Sequence, residues 1–126
     1  MNPLAEEWMA KGLADLATAK REMRVRRNPN YDAVCFHAQQ AVEKLLKAHL
    51  VTLDRDVPRT HDLPHLLGLL TDRKPLWESW RPAMNELASY AVEFRYPGET
   101  AERATARRAL TLSAQICDEI AAGLTR

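Results

Sequence analysis

The sequence predicts an all-α fold, an up-and-down bundle of four long helices plus one short helix. Apolar residues recur at three- and four-residue spacing through most of the 126 residues, as on one face of a helix. No run of alternating β-branched residues interrupts that pattern. Four glycines and seven prolines fall between the periodic segments, where they punctuate the chain. With no internal repeat and no low-complexity segment, residues 1–126 read as a single domain. A chain of this length buries roughly two-thirds of its unfolded surface, enough for a core without staples.

The elements follow in order. Asn2-Pro3 starts the first helix, with Asn as cap and Pro in a first turn that has no donor to lose. Leu4, Trp8, Met9, Leu13, Leu16 and Met23 carry it to about Arg24, and Asn28-Pro29-Asn30 is a turn. A second helix runs from about Tyr31 to Leu53, with Val34, Ala38, Ala41, Leu45 and Ala48 toward a core. Asp54 to Thr60 is a polar loop. Thr60 or Asp62 caps a short helix from His61 to Leu70, which buries Leu63, Leu66, Leu67 and Leu70. Asp72 to Pro75 breaks the chain, and Leu76, Trp77 and Trp80 supply bulk. Pro82 requires the next long helix to begin near Trp80 or Arg81; it runs to about Phe94 and is stopped by Tyr96-Pro97-Gly98. The last helix starts near Glu99, basic in its first half and broadly apolar in its second.

Composition narrows the function. There are 18 Lys plus Arg and 17 Asp plus Glu, a net charge of +1, which argues against indiscriminate coating of nucleic acid. The cations are not evenly spread: Lys20, Arg21, Arg24, Arg26 and Arg27 cluster around a single acid, Glu22. They either complement the C-terminal dipole of the first helix or form a phosphate-contacting patch. The two cysteines, Cys35 and Cys117, each lie inside a helical pattern, and no apolar run reaches membrane-spanning length. The expectation is a reduced, cytoplasmic protein.

The segment Phe36-His-Ala-Gln-Gln-Ala-Val-Glu-Lys-Leu-Leu-Lys-Ala48, then Thr60-His-Asp-Leu63, then Phe94-Arg-Tyr-Pro97 together resemble the HEPN family, from about residue 5 to 123. The resemblance implies a helical bundle, commonly a homodimer, that works with a minimal nucleotidyltransferase in toxin–antitoxin or stress-defence modules. Many members are metal-independent ribonucleases with an Arg, four to six residues, then a His near the start of the last helix. Here the last histidine is His65. Nothing after Arg95, Arg103, Arg107 or Arg108 can serve as that histidine, so no catalytic residue is assigned. Arg55 and His61 have the right separation but lie in a predicted loop.

The candidate nucleotide- or RNA-binding residues are His37, Gln40, Lys44, His61, Arg95, Arg103 and Arg107. His37, Gln40 and Lys44 form one helical stripe. Histidine can donate, accept or move a proton, and lysine can hold a phosphate. The alternative is a polar seam between helices. His61 either bonds into the bundle beside a capping Asp62 or takes part in binding. Arg95 either pairs with Glu93 or Asp62 or faces the cleft with His37 and Lys44. Arg103 and Arg107 either pair with Glu99 and Glu102 or line an RNA cleft. His61 and His65 have metal-ligand spacing but lack a third donor, so neither a metal nor a cofactor is expected. The reading is a dimeric binding and assembly module. A ribonuclease with a non-standard site and a purely structural dimer are the alternatives.

Overall fold

The computed structural model describes residues 1–125, and among them every regular element is helical. The order is α1 (Pro3–Met23), α2 (Tyr31–Thr52), α3 (Leu63–Gly68), a 3₁₀ helix (Pro75–Trp80), α4 (Arg81–Glu93) and α5 (Arg103–Leu124). The bundle of four long helices and a short one is as the sequence predicts. The predicted starts of α1, α2 and α4 hold because local chemistry sets them. Asn2 accepts a bond from Leu4 N–H at 2.7 Å, and Asn30 from Ala33 N–H at 3.0 Å; such caps contribute about 1 kcal/mol each. Pro82 lies in the first turn of α4, where its missing donor costs nothing. Asn28 turns the chain at φ 51°, a left-handed conformation that asparagine tolerates.

Helix α2 is the hub. It packs most extensively on α1, then on α5, and also reaches α3 and α4. Leu45, Leu46 and Leu50 of α2 are fully buried with Leu63, Leu66, Leu67, Met84, Leu87 and Ile120. Ser113 of α5 donates to the Ala38 carbonyl at 2.7 Å, which satisfies a hydroxyl inside the core. Helices α1 and α2 approach tightly at Gly12, where an added Cβ would lie 2.3 Å from Leu45 Cδ2.

Three boundaries differ from the sequence reading. The last helix begins at Arg103, not near Glu99. Asp32, in the first turn of α2, accepts from Ala101 N–H at 2.7 Å, so the chain is held extended through Glu102 before it can coil. The short helix begins at Leu63 and ends at Gly68, because Asp62 supplies the cap, accepting from His65 N–H at 3.0 Å. Pro75–Trp80, for which the sequence suggests only bulk, is a 3₁₀ helix. Three residues per turn place Trp77 and Trp80 above one another, and their rings stack 5.0 Å apart.

Behind that stack lies His49 of α2. It is 5 % exposed, its ring is 4.9 Å from that of Trp77, and neither ring nitrogen has a hydrogen-bond partner. Burial holds its pKa down at about 4, reinforced by Lys74, Arg55 and Arg73.

Candidate functional site

The polar stripe of α2 serves two separate seams. On the α1 side, Asp15 accepts from His37 Nδ1 at 2.8 Å and from Lys44 Nζ at 2.6 Å. The Asp15 side chain is 11 % exposed, against 30 % for His37 and 24 % for Lys44. His37 and Lys44 are thus brought together, on a carboxylate rather than on open space. Gln40 is buried, and its amide donates to Gln39 Oε1 at 3.1 Å.

On the opposite side, buried Glu43 accepts from Lys47 Nζ at 2.9 Å and meets His61 Nδ1 at 2.9 Å. Gln39 adds a bond to the His61 carbonyl at 3.1 Å. His61 therefore bonds into α2. Its ring is largely exposed and sits in a groove of about 790 Å³ whose other walls include Pro64, Ala88, Ala91, Val92 and Arg95. Arg95 shares this groove with His61 and forms no ion pair with Glu93 or Asp62 among the described residues. His37 and Lys44 are not part of it. A carboxylate holding Nδ1 while Nε2 is free is an arrangement that orients an imidazole for hydrogen bonding or proton transfer.

Arg103 and Arg107 lie elsewhere. With Leu110 they form one wall of an open groove of about 740 Å³. Lys20, Met23, Arg24, Val25, Arg26 and Tyr31 form the rest. All five cations are exposed. None is in an ion pair among the described residues, and no carboxylate lines the groove. The expected alternative, pairing of Arg103 and Arg107 with Glu99 and Glu102, is not formed. The neighbouring Arg108 shows the contrast: Glu86 of α4 binds it, and that pairing holds the Glu86 carboxyl below its usual range. Five like charges left unneutralised on facing elements create a positive potential that an anion can relieve.

Sequence reasoning singled out the Lys20–Arg27 cluster and the Arg103/Arg107 pair separately. Their convergence, and the place of Tyr31 between them, require the packing of α1 against α5. Among the described residues no group of three metal-ligating side chains occurs. No helix among them is long and apolar enough to cross a membrane.

Comparison with known proteins agrees with this architecture. The chain resembles the crystal structure of TT1696 from Thermus thermophilus with a TM-score of 0.78 at 24% identity, over 92% of this chain and 94% of that one. No curated protein sequence matches. The sequence profile of the HEPN domain matches residues 5–122, nearly the whole bundle, and the chain belongs to the HEPN domain family.

Proposed function

We propose that this HEPN domain is a binding and assembly module without catalytic power of its own. It holds nucleotide or RNA in the groove of Lys20, Arg24, Arg26, Arg103 and Arg107. It acts as a homodimer beside a minimal nucleotidyltransferase in a toxin–antitoxin or stress-defence system, the setting common in the family. The observation that carries the ligand is the set of five unpaired cations that the end of α1, the turn after it and the start of α5 bring to one groove. Arginine forks match phosphate oxygens two at a time, and Tyr31 offers a ring at the same wall. The argument against catalysis is the absence of any histidine after His65, which leaves α5 without the imidazole that the ribonuclease members of the family carry near its start.

The test is titration of a labelled single-stranded RNA and of a nucleoside triphosphate at several salt concentrations. Engagement of all five cations predicts a log–log salt slope of about −3.5 for single strands. Arg103→Glu with Arg107→Glu should abolish binding and leave the helical content unchanged. Salt-independent binding, or binding unaltered in that double variant, refutes the assignment. Light scattering of the purified protein tests the dimer. A second reading, ribonuclease action, draws on His61: Glu43 holds its Nδ1 beside Arg95. RNA cleavage in EDTA that disappears in His61→Ala would establish it.

A further inference from the structure

Residue His49 is the one buried side chain among the described residues whose polar atoms have no partner. It is 5 % exposed and lies beneath Trp77, which stacks in turn on Trp80. A neutral imidazole tolerates this apolar position; an imidazolium does not, because a buried charge needs a partner. The charged groups around it sharpen that difference. Arg55 follows α2, and Arg73 and Lys74 precede the 3₁₀ helix; all three act against a proton on His49. Among the described residues no carboxylate bonds to the ring. Asp72 is held by Arg55 at 2.8 and 2.6 Å, Asp54 is exposed and lines with Met1 the pocket at the end of α2 that His49 also borders, and Glu119 of α5 is an exposed residue of the groove beside Trp77 and Trp80. Lys74 already rests over the Trp77 ring at 5.6 Å.

The cover over His49 packs on the rest of the fold less extensively than any of the long helices does. The 3₁₀ helix has no side-chain cap, its hydrogen bonds are of a weaker kind than those of an α-helix, and Leu76 on it is 86 % exposed. Elements with few buried contacts open at low free energy while the rest of a domain stays folded.

We propose that Pro75–Trp80 is an acid-released flap: protonation of His49 detaches Trp77 from the bundle while the four long helices stay folded. The charged imidazole gains water when the indole above it moves away, so acid favours the open position. With a closed-state pKa of about 4 and an ordinary value of about 6.5 when open, the opening constant rises roughly a hundredfold between about pH 7 and pH 4. The opened segment presents Leu76, Trp77 and Trp80 together as an apolar surface.

Protein labelled with 5-fluorotryptophan tests this by fluorine NMR, with Trp8→Phe and Trp80→Phe assigning the three resonances. On acidification the Trp77 resonance should shift to a solvent-exposed position, while that of Trp8 and the far-ultraviolet helix signal remain as at neutral pH. In His49→Phe, which keeps an aromatic ring but cannot take a proton, the Trp77 shift should vanish; His49→Leu is the replacement if the phenyl ring does not fit. Three results overturn the proposal. One is a Trp77 resonance unmoved with the helices intact. Another is movement of Trp8 and Trp77 together with loss of helix. The third is the same Trp77 transition in the folded His49 variant.

Discussion

A methyl group added at Gly12 tests whether the α1–α2 contact is as tight as described. Glycine inside a helix normally weakens it, so Gly12→Ala should gain about 1 kcal/mol of helix propensity. The packing predicts the opposite sign. The new Cβ would stand 2.3 Å from Leu45 Cδ2, 3.1 Å from the Ala41 carbonyl oxygen and 3.1 Å from Lys44 Cβ. Leu45 is fully buried, and a core at native density gives its methyl no empty space to enter. The Ala41 and Lys44 atoms belong to or adjoin the α2 backbone and cannot rotate away. Either Leu45 leaves its rotamer or the helices separate. Overpacking of this kind costs typically 1–3 kcal/mol, so the net expectation is a loss of about 1 kcal/mol for alanine. Gly12→Val adds two more methyls with a smaller propensity gain and should lose about 3 kcal/mol. Urea unfolding followed by far-ultraviolet circular dichroism reads both, as a fall in midpoint at constant slope. Alanine at position 12 as stable as glycine or more so would refute the close approach, because propensity would then act unopposed.

Two further outcomes follow from the same structure. Asp15→Ala removes the shared acceptor of His37 and Lys44. Losing one partner of a fully buried pair costs 3–5 kcal/mol, but His37 and Lys44 keep partial access to water, so a loss of about 1–2 kcal/mol in urea unfolding is expected. A change within about 0.3 kcal/mol would show the seam to be energetically idle. Burial pushes the Cys35 thiol up to about 11, with help from Asp32 and Glu93, and the Cys117 thiol up to about 12 against the opposing effect of its hydrogen bond with Ser113. Since only thiolate attacks a disulfide reagent, neither should react near neutral pH in the native state, and both should react in guanidinium. Rapid native labelling would contradict their placement.

The helices were legible because their ends carry local signals. Asn2-Pro3, Asn30 and Asp62 cap by their own side chains, and Gly98 closes the stop after α4 with φ at 111°. The start of α5 was not legible because its determinant is Asp32, 69 positions away along the chain. The 3₁₀ helix was obscured because Trp77 and Trp80, three apart, fit an α-helical spacing equally well. Among site residues, the stripe of His37, Gln40 and Lys44 was readable as polar, and one sign of its partner was present: Asp15 interrupts the apolar run of Leu13, Leu16 and Ala19. The basic groove was half readable. Its two clusters stand out in the sequence, yet only the packing of α1 beside α5 places them on a common opening.

The bond from Ala101 to Asp32 divides the linker after α4 into two parts with different histories open to them. Upstream of it, residues 95–100 are all exposed, so insertions and deletions can accumulate there with little disturbance to the bundle. Downstream, Ala101 is 4 % exposed and its backbone is tethered, so a single added residue would rotate α5 by about 100° relative to its neighbours. Length variation among relatives, and any engineered tag or grafted sequence, therefore belongs before Ala101 and not after it.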